Sequence, residues 1–273
     1  MVEFPAAKIN LGLYVTDKRA DGYHNIETLF YPIGFSDILE VVPVGGGADG
    51  IIDLSLTGIP VDGNPDTNLV VRAYRILNER AKLPGVRAFV HKCIPTGAGL
   101  GGGSSDGAAM LKVLDRLFGL GIPNVELSQM ALELGSDCPF LLECEPSFAK
   151  GRGEIISNAN ISLNGCYLQL FHPGTGISTA AAYRHVPIGR SEVSLEEMVG
   201  LPKDRWKGLI QNVFEPYAFE QQPIIQQIKE ELYRSGAIYA SMTGSGSAVY
   251  GLFDRETEVP PALSAWFIWK ERL

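Results

Sequence analysis

The sequence has few cysteines for its length. Cys93, Cys138, Cys144 and Cys166 are the four cysteines in 273 residues, and no two of them form a C-x-x-C pair. Small disulfide-stabilised domains are dense in cysteine, and structural zinc sites need closely spaced ligand pairs. We therefore expect neither a disulfide scaffold nor a zinc site, and we expect the thiols to be free and buried.

Long apolar runs and clusters of basic residues are also missing. No apolar stretch approaches the roughly 20 residues that a membrane helix needs, and the residues after Met1 do not show a basic segment followed by an apolar run. The formal net charge is -8, so the overall field repels nucleic acid. These absences predict a cytoplasmic protein with no nucleic-acid or membrane partner.

What the sequence does contain is a segment rich in glycine and serine at residues 95–109, with the sequence PTGAGLGGGSSDGAA. A strand-like pattern precedes it and a helix-like pattern follows it. Glycine lets a backbone approach a ligand closely, and the first N–H groups of a helix attract anions. The order of strand, glycine-rich loop and helix therefore predicts a phosphate-binding segment.

Other motifs compete for the same residues. The segment lacks the G-K-[S/T] ending of lysine-bearing phosphate loops. It matches G-x-G-x-x-G at Gly97, Gly99 and Gly102, but no predicted strand that ends in an acidic residue follows at the distance that a dinucleotide site requires. It also matches G-x-S-x-G at residues 103–107, which makes Ser105 a candidate hydrolase nucleophile, with Asp137 and then His172 or His185 as partners. The length of the loop before Ser105 disfavours the hydrolase, which remains the alternative.

Alternation of apolar and polar residues predicts a β-rich start. Residues 2–15 place Lys8 and Asn10 on one face of a strand, which taken alone indicates a solvated face. The Asp-Gly pair within residues 19–24 predicts a hairpin turn with a packed tyrosine, and residues 45–50 predict a second, glycine-rich turn.

Further along the chain, Asp137 is the carboxylate of most interest. Ser136 or Asp137 is placed to cap a short helix that Pro139 would begin. A polar, glycine-punctuated link at residues 150–154 predicts a domain boundary, with one domain at residues 1–155 and a second at residues 156–273. In the second domain, residues 243–247 join two strands as a hairpin connection or as a second phosphate loop.

Three separated segments resemble the GHMP small-molecule kinases, namely residues 95–109, the N-terminal strand segment that contains Lys8, and residues 243–247. Five segments carry a narrower resemblance within this family. They are PAAKIN at residues 5–10, RADGYH at 19–24, GAGLGGGSS at 97–105, GSDCPF at 135–140 and TGSG at 243–246. The resemblance spans nearly the whole chain. It implies an α+β, two-domain GHMP kinase fold, in which an N-terminal α+β nucleotide-binding domain precedes a C-terminal ferredoxin-like domain.

The resemblance also implies a reaction. It implies that ATP, with Mg²⁺, phosphorylates a tertiary hydroxyl of a small cytidine-diphosphate-linked polyol. A mevalonate, homoserine or sugar acceptor remains an alternative, as does a non-catalytic binding protein, which would be expected to lack Lys8 or Asp137. A weak homodimer is left open.

The matching motifs imply roles for individual residues. Lys8 and Asp137 correspond to the catalytic pair, and the metal ligands stay unknown. The substrate-binding positions are Asn10, Tyr23, His24, Tyr183, Thr243 and Gly244. The nucleotide positions are Asn68, Leu69 and Lys92 around adenine, and Pro95, Gly97, Gly99, Leu100, Gly101, Gly102, Gly103, Ser104 and Ser105 around the phosphates.

This sequence departs from the family pattern at two places. Asp106-Gly107 stands where the family usually has Asn-Ala, and Cys138 stands where an aliphatic residue is usual. A carboxylate that pointed into the loop would repel phosphate. Asp106 is therefore expected to face away from the loop, to cap the helix or to contribute to a Mg²⁺ site.

Overall fold

The structure is a computed structural model that describes residues 1–45, 50–61, 63–189, 191 and 193–273. The glycine-rich turn predicted at residues 45–50 lies mostly outside the described residues, because residues 46–49 are not among them.

Strands and helices mostly follow one another in runs along the chain. The strands are β1 (Val2–Glu3), β2 (Ala6–Lys18), β3 (His24–Ser36), β4 (Ile38–Pro43), β5 (Ile52–Gly58), β6 (Val86–Lys92), β7 (Ser147–Lys150), β8 (Ile155–Asn158), β9 (Tyr167–Phe171), β10 (Tyr239–Met242), β11 (Val249–Phe253) and β12 (Phe267–Arg272). The α-helices are α1 (Leu69–Ala81), α2 (Gly102–Phe118), α3 (Asn124–Leu134), α4 (Cys138–Glu143), α5 (Thr179–His185), α6 (Leu195–Val199), α7 (Glu215–Gln221) and α8 (Pro223–Arg234). This mixture confirms the α+β class.

The chain divides into two units that are interleaved in sequence. The first unit comprises residues 1–7, 34–96 and 101–145, and the second comprises residues 8–33, 97–100 and 146–273. The domain boundary expected at residue 155 stays a prediction.

The first unit contains a four-stranded sheet in the order β1-β4-β6-β5. Strand β6 pairs antiparallel with β4 and parallel with β5. Its residues alternate strictly between buried and exposed, so one face of the sheet faces the core of the unit. On that side, helix α2 contacts β4, and α1 contacts both α2 and β5.

Local sequence signals lie at the ends of two helices of the first unit. Asn68 caps α1, since its side-chain oxygen accepts a hydrogen bond of 2.9 Å from the backbone N–H of Val70. Helix α2 ends at Gly119, whose φ of 60° lies in the left-handed region that favours glycine. Helix α2 begins at Gly102, within the glycine-rich segment.

The second unit contains two four-stranded sheets, in the orders β2-β3-β7-β8 and β10-β11-β9-β12. Strands β10 and β11 form the predicted hairpin. Helix α8 packs on both strands through its buried residues Ile225, Ile228 and Leu232.

Strand β2 is buried on both faces from Ala7 to Val15. The solvated strand face expected for Lys8 is therefore wrong, because Lys8 is only 3% exposed. Among the described residues, we find no helix with both the length and the apolar character that a membrane crossing requires.

Candidate active site

The first unit presents the start of α2 with its backbone N–H groups directed outward from the helix end. Gly101, with a φ of 74°, occupies the cap position, and no side chain caps the helix. The first N–H groups of such a helix have no partner within it, and they carry partial positive charge. A Cβ at Gly103 would have nothing within 4 Å, so there is open space beside this turn. These features suit an anionic ligand.

Asp137 lies in a turn that packs beside the start of α2. The Cys138 thiol is hydrogen-bonded to Ser104, which lies in the first turn of α2. A Cβ built on Gly135 would lie 4.0 Å from Ser104 Oγ. Asp137 occupies the cap position of α4, as predicted, but its side chain makes no capping hydrogen bond there. The turn thus brings a carboxylate-bearing residue next to the glycine-rich segment within one unit.

Two further side chains of this turn and helix, those of Cys138 and Ser105, are buried. Burial raises the pKa of the Cys138 thiol to about 12, against an opposing effect of Ser104, so the thiol stays neutral and packs like a small apolar residue. Ser105 is 3% exposed and lies inside α2. A hydrolase nucleophile must be exposed at a strand end. The interpretation of Ser105 as a nucleophile is therefore wrong.

Asp106, the departure from the family pattern, points away from the loop. Its Oδ2 atom accepts a hydrogen bond of 2.6 Å from Nζ of Lys92 on β6. The same Nζ donates to Asp37, which lies between β3 and β4. Asp37 in turn accepts from the backbone N–H groups of Cys93, at 2.6 Å, and Ile94, at 2.8 Å. We call Asp37, Lys92 and Asp106 the carboxylate–lysine cluster.

Burial of the carboxylate–lysine cluster changes its acid–base properties. Burial raises the pKa of Asp106 to about 7, although the Lys92 ammonium opposes this and Asp37 adds to it. For Lys92, burial lowers the pKa, but the Asp106 and Asp37 carboxylates together outweigh it and raise the pKa above its usual value. Lys92 is thus held as an ammonium between two carboxyl groups.

The residues expected around adenine lie in the first unit. Asn68 uses its side-chain oxygen to cap α1. Leu69 packs against Gly107, where a Cβ would lie 2.9 Å from Leu69 Cβ, so the glycine that replaces the usual alanine accommodates this contact. Lys92 is occupied by the two carboxyl groups. That Asn68, Leu69 and Lys92 contact a nucleotide stays a prediction.

In the second unit, Asn10 is the centre of a hydrogen-bond network. Its Oδ1 atom accepts from Nζ of Lys8 at 2.6 Å and from the backbone N–H of Gly244 at 2.9 Å. The Thr243 hydroxyl lies 3.0 Å from the same oxygen, and the Asn10 side-chain amide donates to Thr28 at 2.9 Å. The network therefore joins the predicted catalytic lysine to the second glycine segment.

The middle of the first glycine segment packs against the same residues. The backbone N–H of Lys8 donates to the carbonyl of Leu100 at 3.0 Å, and the Thr243 hydroxyl lies 3.1 Å from the carbonyl of Gly99. A Cβ on Gly99 would lie 2.1 Å from the Thr243 carbonyl oxygen. Only glycine fits there, whereas a Cβ on Gly97 would have nothing within 4 Å and would enter open space.

The aromatic residues expected to bind a base lie in the second unit. His24 stacks on Tyr183, with ring centroids 5.0 Å apart and an interplanar angle of 25°. Tyr23 is 55% exposed, and the Arg152 guanidinium lies 4.7 Å from its ring centroid. The packed hairpin tyrosine expected at this turn is therefore wrong. The sandwich of a base between Tyr23 and Tyr183 stays a prediction.

Sequence reasoning missed several residues that organise these segments. Asn212 donates from its side-chain amide to the carbonyls of Met242, at 2.9 Å, and Gly244, at 2.8 Å. The Tyr250 hydroxyl donates to the carbonyl of Asn10 at 2.7 Å. No local pattern marks either residue, since their partners are distant in sequence. We call Asn10, Thr28, Asn212, Thr243 and Tyr250 the amide–hydroxyl cluster.

A helix start that follows a run of glycines, with an acidic turn beside it, suits a ligand that carries phosphate. The family model described as GHMP kinases N terminal domain matches residues 68–142, and the model described as GHMP kinases C terminal matches residues 194–269. The chain belongs to the GHMP kinase family, whose members use ATP as the phosphate donor.

Several relatives that are similar over nearly the whole chain bear one name. A protein of Bacteroides fragilis named 4-diphosphocytidyl-2-C-methyl-D-erythritol kinase is 45% identical over 95% of this chain and 94% of its own length. The protein of that name from Parabacteroides distasonis is 44% identical over 100% of both chains. A crystal structure of 4-(cytidine 5'-diphospho)-2C-methyl-D-erythritol kinase superposes with a TM-score of 0.80 at 32% identity, covering 99% of this chain and 98% of that one.

Proposed function

We propose that this chain transfers the γ-phosphoryl group of ATP to the 2-hydroxyl of 4-diphosphocytidyl-2-C-methyl-D-erythritol. The observation that carries the proposal is the Asp137 turn beside the uncapped start of α2, linked to it by the contact between Cys138 and Ser104. The relatives that bear the name of this kinase cover nearly the whole chain. We infer that the chain works on a small-molecule substrate.

The nucleotide phosphates are proposed to bind the backbone of the glycine-rich segment. The N–H groups that begin α2 supply hydrogen bonds without a bulky side chain, and the helix start supplies favourable charge. Asn68 and Leu69 at the start of α1, together with Lys92, are proposed to border the adenine.

Mg²⁺ is proposed to accompany ATP, and it would neutralise part of the charge on the phosphates. Among the described residues, no three His, Cys, Asp or Glu side chains are grouped so as to hold a metal ion. This fits Mg²⁺, which usually keeps several waters and binds through one or two carboxylates plus the substrate phosphates. Asp106 does not suit a role as ligand, since its carboxyl group is buried and directed towards Lys92.

In the proposed reaction, a bond forms between the acceptor hydroxyl oxygen and the γ-phosphorus, while the bond to the β–γ bridging oxygen breaks. Asp137 orients the acceptor hydroxyl and takes its proton as the bond forms. Lys8 supplies positive charge to the transferred group, and the hydrogen bond from its Nζ to Asn10 fixes its direction. Phosphoryl transfer depends mainly on such positioning and charge stabilisation.

The acceptor is proposed to bind through its cytosine and its polyol. Tyr23, His24 and Tyr183 provide rings for the base, and stacking alone accepts any nucleobase. Selection of cytosine must therefore come from hydrogen bonds, for which His24 is the proposed partner. Asn10, Thr243 and Gly244 are proposed to border the acceptor hydroxyl.

The substrate assignment can be tested by measuring ADP release with a panel of acceptors. The panel contains 4-diphosphocytidyl-2-C-methyl-D-erythritol, its uridine counterpart, mevalonate, homoserine and galactose. We expect the cytidine compound to give the highest kcat/KM, with the uridine compound at least about tenfold lower because it cannot make the same hydrogen bonds. Efficient turnover of another acceptor would overturn the assignment.

The catalytic assignment predicts that Lys8→Met and Asp137→Asn each lower kcat about a hundredfold or more. We expect little change in the affinity for ATP, because the glycine segment holds the phosphates. Matched controls are Lys18→Met, an exposed lysine on β2, and Glu143→Gln, an exposed carboxylate on α4. Steady-state kinetics on all four variants test the catalytic assignment. A near-normal kcat in either Lys8→Met or Asp137→Asn would show that the substituted residue is not catalytic.

A further inference from the structure

The carboxylate–lysine cluster connects the backbone just before the glycine-rich segment with helix α2, which begins within that segment. Asp37 accepts hydrogen bonds from the backbone of Cys93 and Ile94, which directly precede Pro95. Lys92 joins Asp37 to Asp106, which lies in the second turn of α2. The Lys92 ammonium group therefore links Asp37, which holds the backbone of Cys93 and Ile94, to Asp106 on helix α2.

The packing at the start of α2 depends on the same cluster. A Cβ on Gly102 would lie 2.8 Å from a side-chain carbon of Ile94 and 3.4 Å from Oδ2 of Asp37. The first turn of α2 thus rests on residues that Asp37 positions. A shift of Asp37 or Lys92 would move the N–H groups that face the phosphates.

The charges in the cluster do not balance when all three groups are ionised. Two carboxylates and one ammonium leave a net charge of -1, and a single added proton makes the cluster neutral. Asp106 is 5% exposed, and its Oδ1 atom is buried with no hydrogen-bond partner among the described residues. A buried carboxylate oxygen without a partner is costly when charged. Asp106 is therefore the group of the cluster that takes up the added proton.

The following inference rests on the proposed function of the glycine-rich segment as the ATP phosphate site. We propose that Asp106 is a positioning residue whose charge sets how tightly that segment binds ATP. Protonated Asp106 leaves a neutral cluster behind the helix start. Ionised Asp106 adds a negative charge in the helix that receives the phosphates, and this weakens their binding.

The acid–base properties of the site support this inference. The pKa of Asp106 is raised to about 7, chiefly by burial. The charged groups that act on it are Lys92 from β6, which lowers the pKa, and Asp37 from between β3 and β4, which raises it. The neighbouring Cys93 thiol has a raised pKa, mainly through burial and then through Asp37, so it stays neutral in this range. Asp106 is therefore half ionised near neutral pH.

The test compares the wild type with Asp106→Asn, which has the shape of the protonated carboxyl and no charge. Affinity for Mg²⁺-ATP is measured without acceptor between pH 5.5 and 8.5, and KM for ATP and kcat are measured in parallel. The ionisation of ATP itself affects both proteins equally and cancels in their ratio. We expect the wild type to match the variant at pH 5.5 and to bind ATP about threefold or more weakly at pH 8.5, with similar kcat values.

Two further variants are measured in the same way, one as a second removal of the charge and one as a control. Asp106→Ser also removes the charge and should show the same loss of pH dependence if Asp106→Asn fails to fold. Glu79→Gln, an exposed carboxylate on α1, should keep the wild-type profile.

A constant ratio of wild-type to variant affinity across the pH range would overturn the role of Asp106 while leaving the kinase intact. Wild type that neither binds ATP nor releases ADP would instead overturn the proposed function, so the two failures are distinguishable.

Discussion

Two buried polar clusters hold glycine-rich segments in this molecule, and they do so by different chemistry. In the first unit, the carboxylate–lysine cluster uses three ionisable side chains. In the second unit, the side chains of the amide–hydroxyl cluster are themselves neutral, although Asn10 also accepts a hydrogen bond from the Lys8 ammonium. Asn212 and Tyr250 hold the backbone at Gly244 and Asn10. Both clusters lie at most 7% exposed.

The difference shows which of the two clusters makes the stability of the fold depend on pH. Neutral hydrogen bonds keep their strength across the physiological range. Asp106 behaves differently, because its folded pKa of about 7 lies above the ordinary value of 3.8. Its contribution to stability is fully present below pH 3.8 and is lost as the pH rises through about 7. Acidic conditions should therefore favour the first unit and leave the second cluster unaffected.

The largest expected effect comes from removing the ammonium group. Lys92→Met leaves two buried carboxyl groups without a counter-charge, and we expect the free energy of unfolding to fall by about 3–5 kcal/mol at pH 8. The loss should shrink at pH 5, because protonation removes the uncompensated charge. Urea unfolding at the two pH values measures it, with Arg87→Met on the exposed face of β6 as the control.

An equal loss at pH 5 and pH 8 would contradict this prediction. It would mean that Lys92 contributes through packing alone, and the contrast between the two clusters would disappear.

A smaller effect is expected from the neutral cluster. Asn212→Ala leaves the carbonyls of Met242 and Gly244 without their donor, and we expect a loss of about 2 kcal/mol. The loss should be the same at pH 5 and pH 8. Asn164→Ala, at an exposed position of the second unit, is the control and should change stability by less than about 0.5 kcal/mol.

If the loss in Asn212→Ala varied with pH, an ionisable group would have to be part of the second cluster. Both clusters would then contribute a stability that depends on pH.

The smallest expected effect is that of a single hydroxyl. Tyr250→Phe removes the hydrogen bond to the Asn10 carbonyl and keeps the ring, so we expect a loss of about 1 kcal/mol that is independent of pH. Thermal unfolding of this variant beside Tyr217→Phe, a partly buried tyrosine on α7, measures it. No loss in Tyr250→Phe relative to that control would show that the hydroxyl does not support Asn10.

Much of the local structure could be predicted because its causes are local. The glycines at both ends of α2, the asparagine cap of α1 and the proline that starts α8 each act within a few residues. The cap position of Asp137 followed from Pro139 in the same way. The alternation in β2 correctly placed Lys8 and Asn10 on one face.

The rest could not be predicted because it depends on contacts between distant residues. Alternation in β2 could not show that both faces are buried, so Lys8 was expected to be solvated. Asp37 and Lys92 are separated by 55 positions, and Asn10 and Thr243 by 233. No pattern in either segment reveals such a partner, and the orientation of Asp106 became clear only once Lys92 was placed beside it.

The most direct test of the proposed function is the position of the phosphate in the product. The protein is incubated with Mg²⁺-ATP and 4-diphosphocytidyl-2-C-methyl-D-erythritol, and the product is examined by ³¹P NMR with and without proton decoupling. Transfer to the 2-hydroxyl attaches the phosphate to a carbon that bears no hydrogen, so we predict a new monophosphate signal without three-bond coupling to protons. A signal split by such coupling, or no new signal at all, would contradict the proposal.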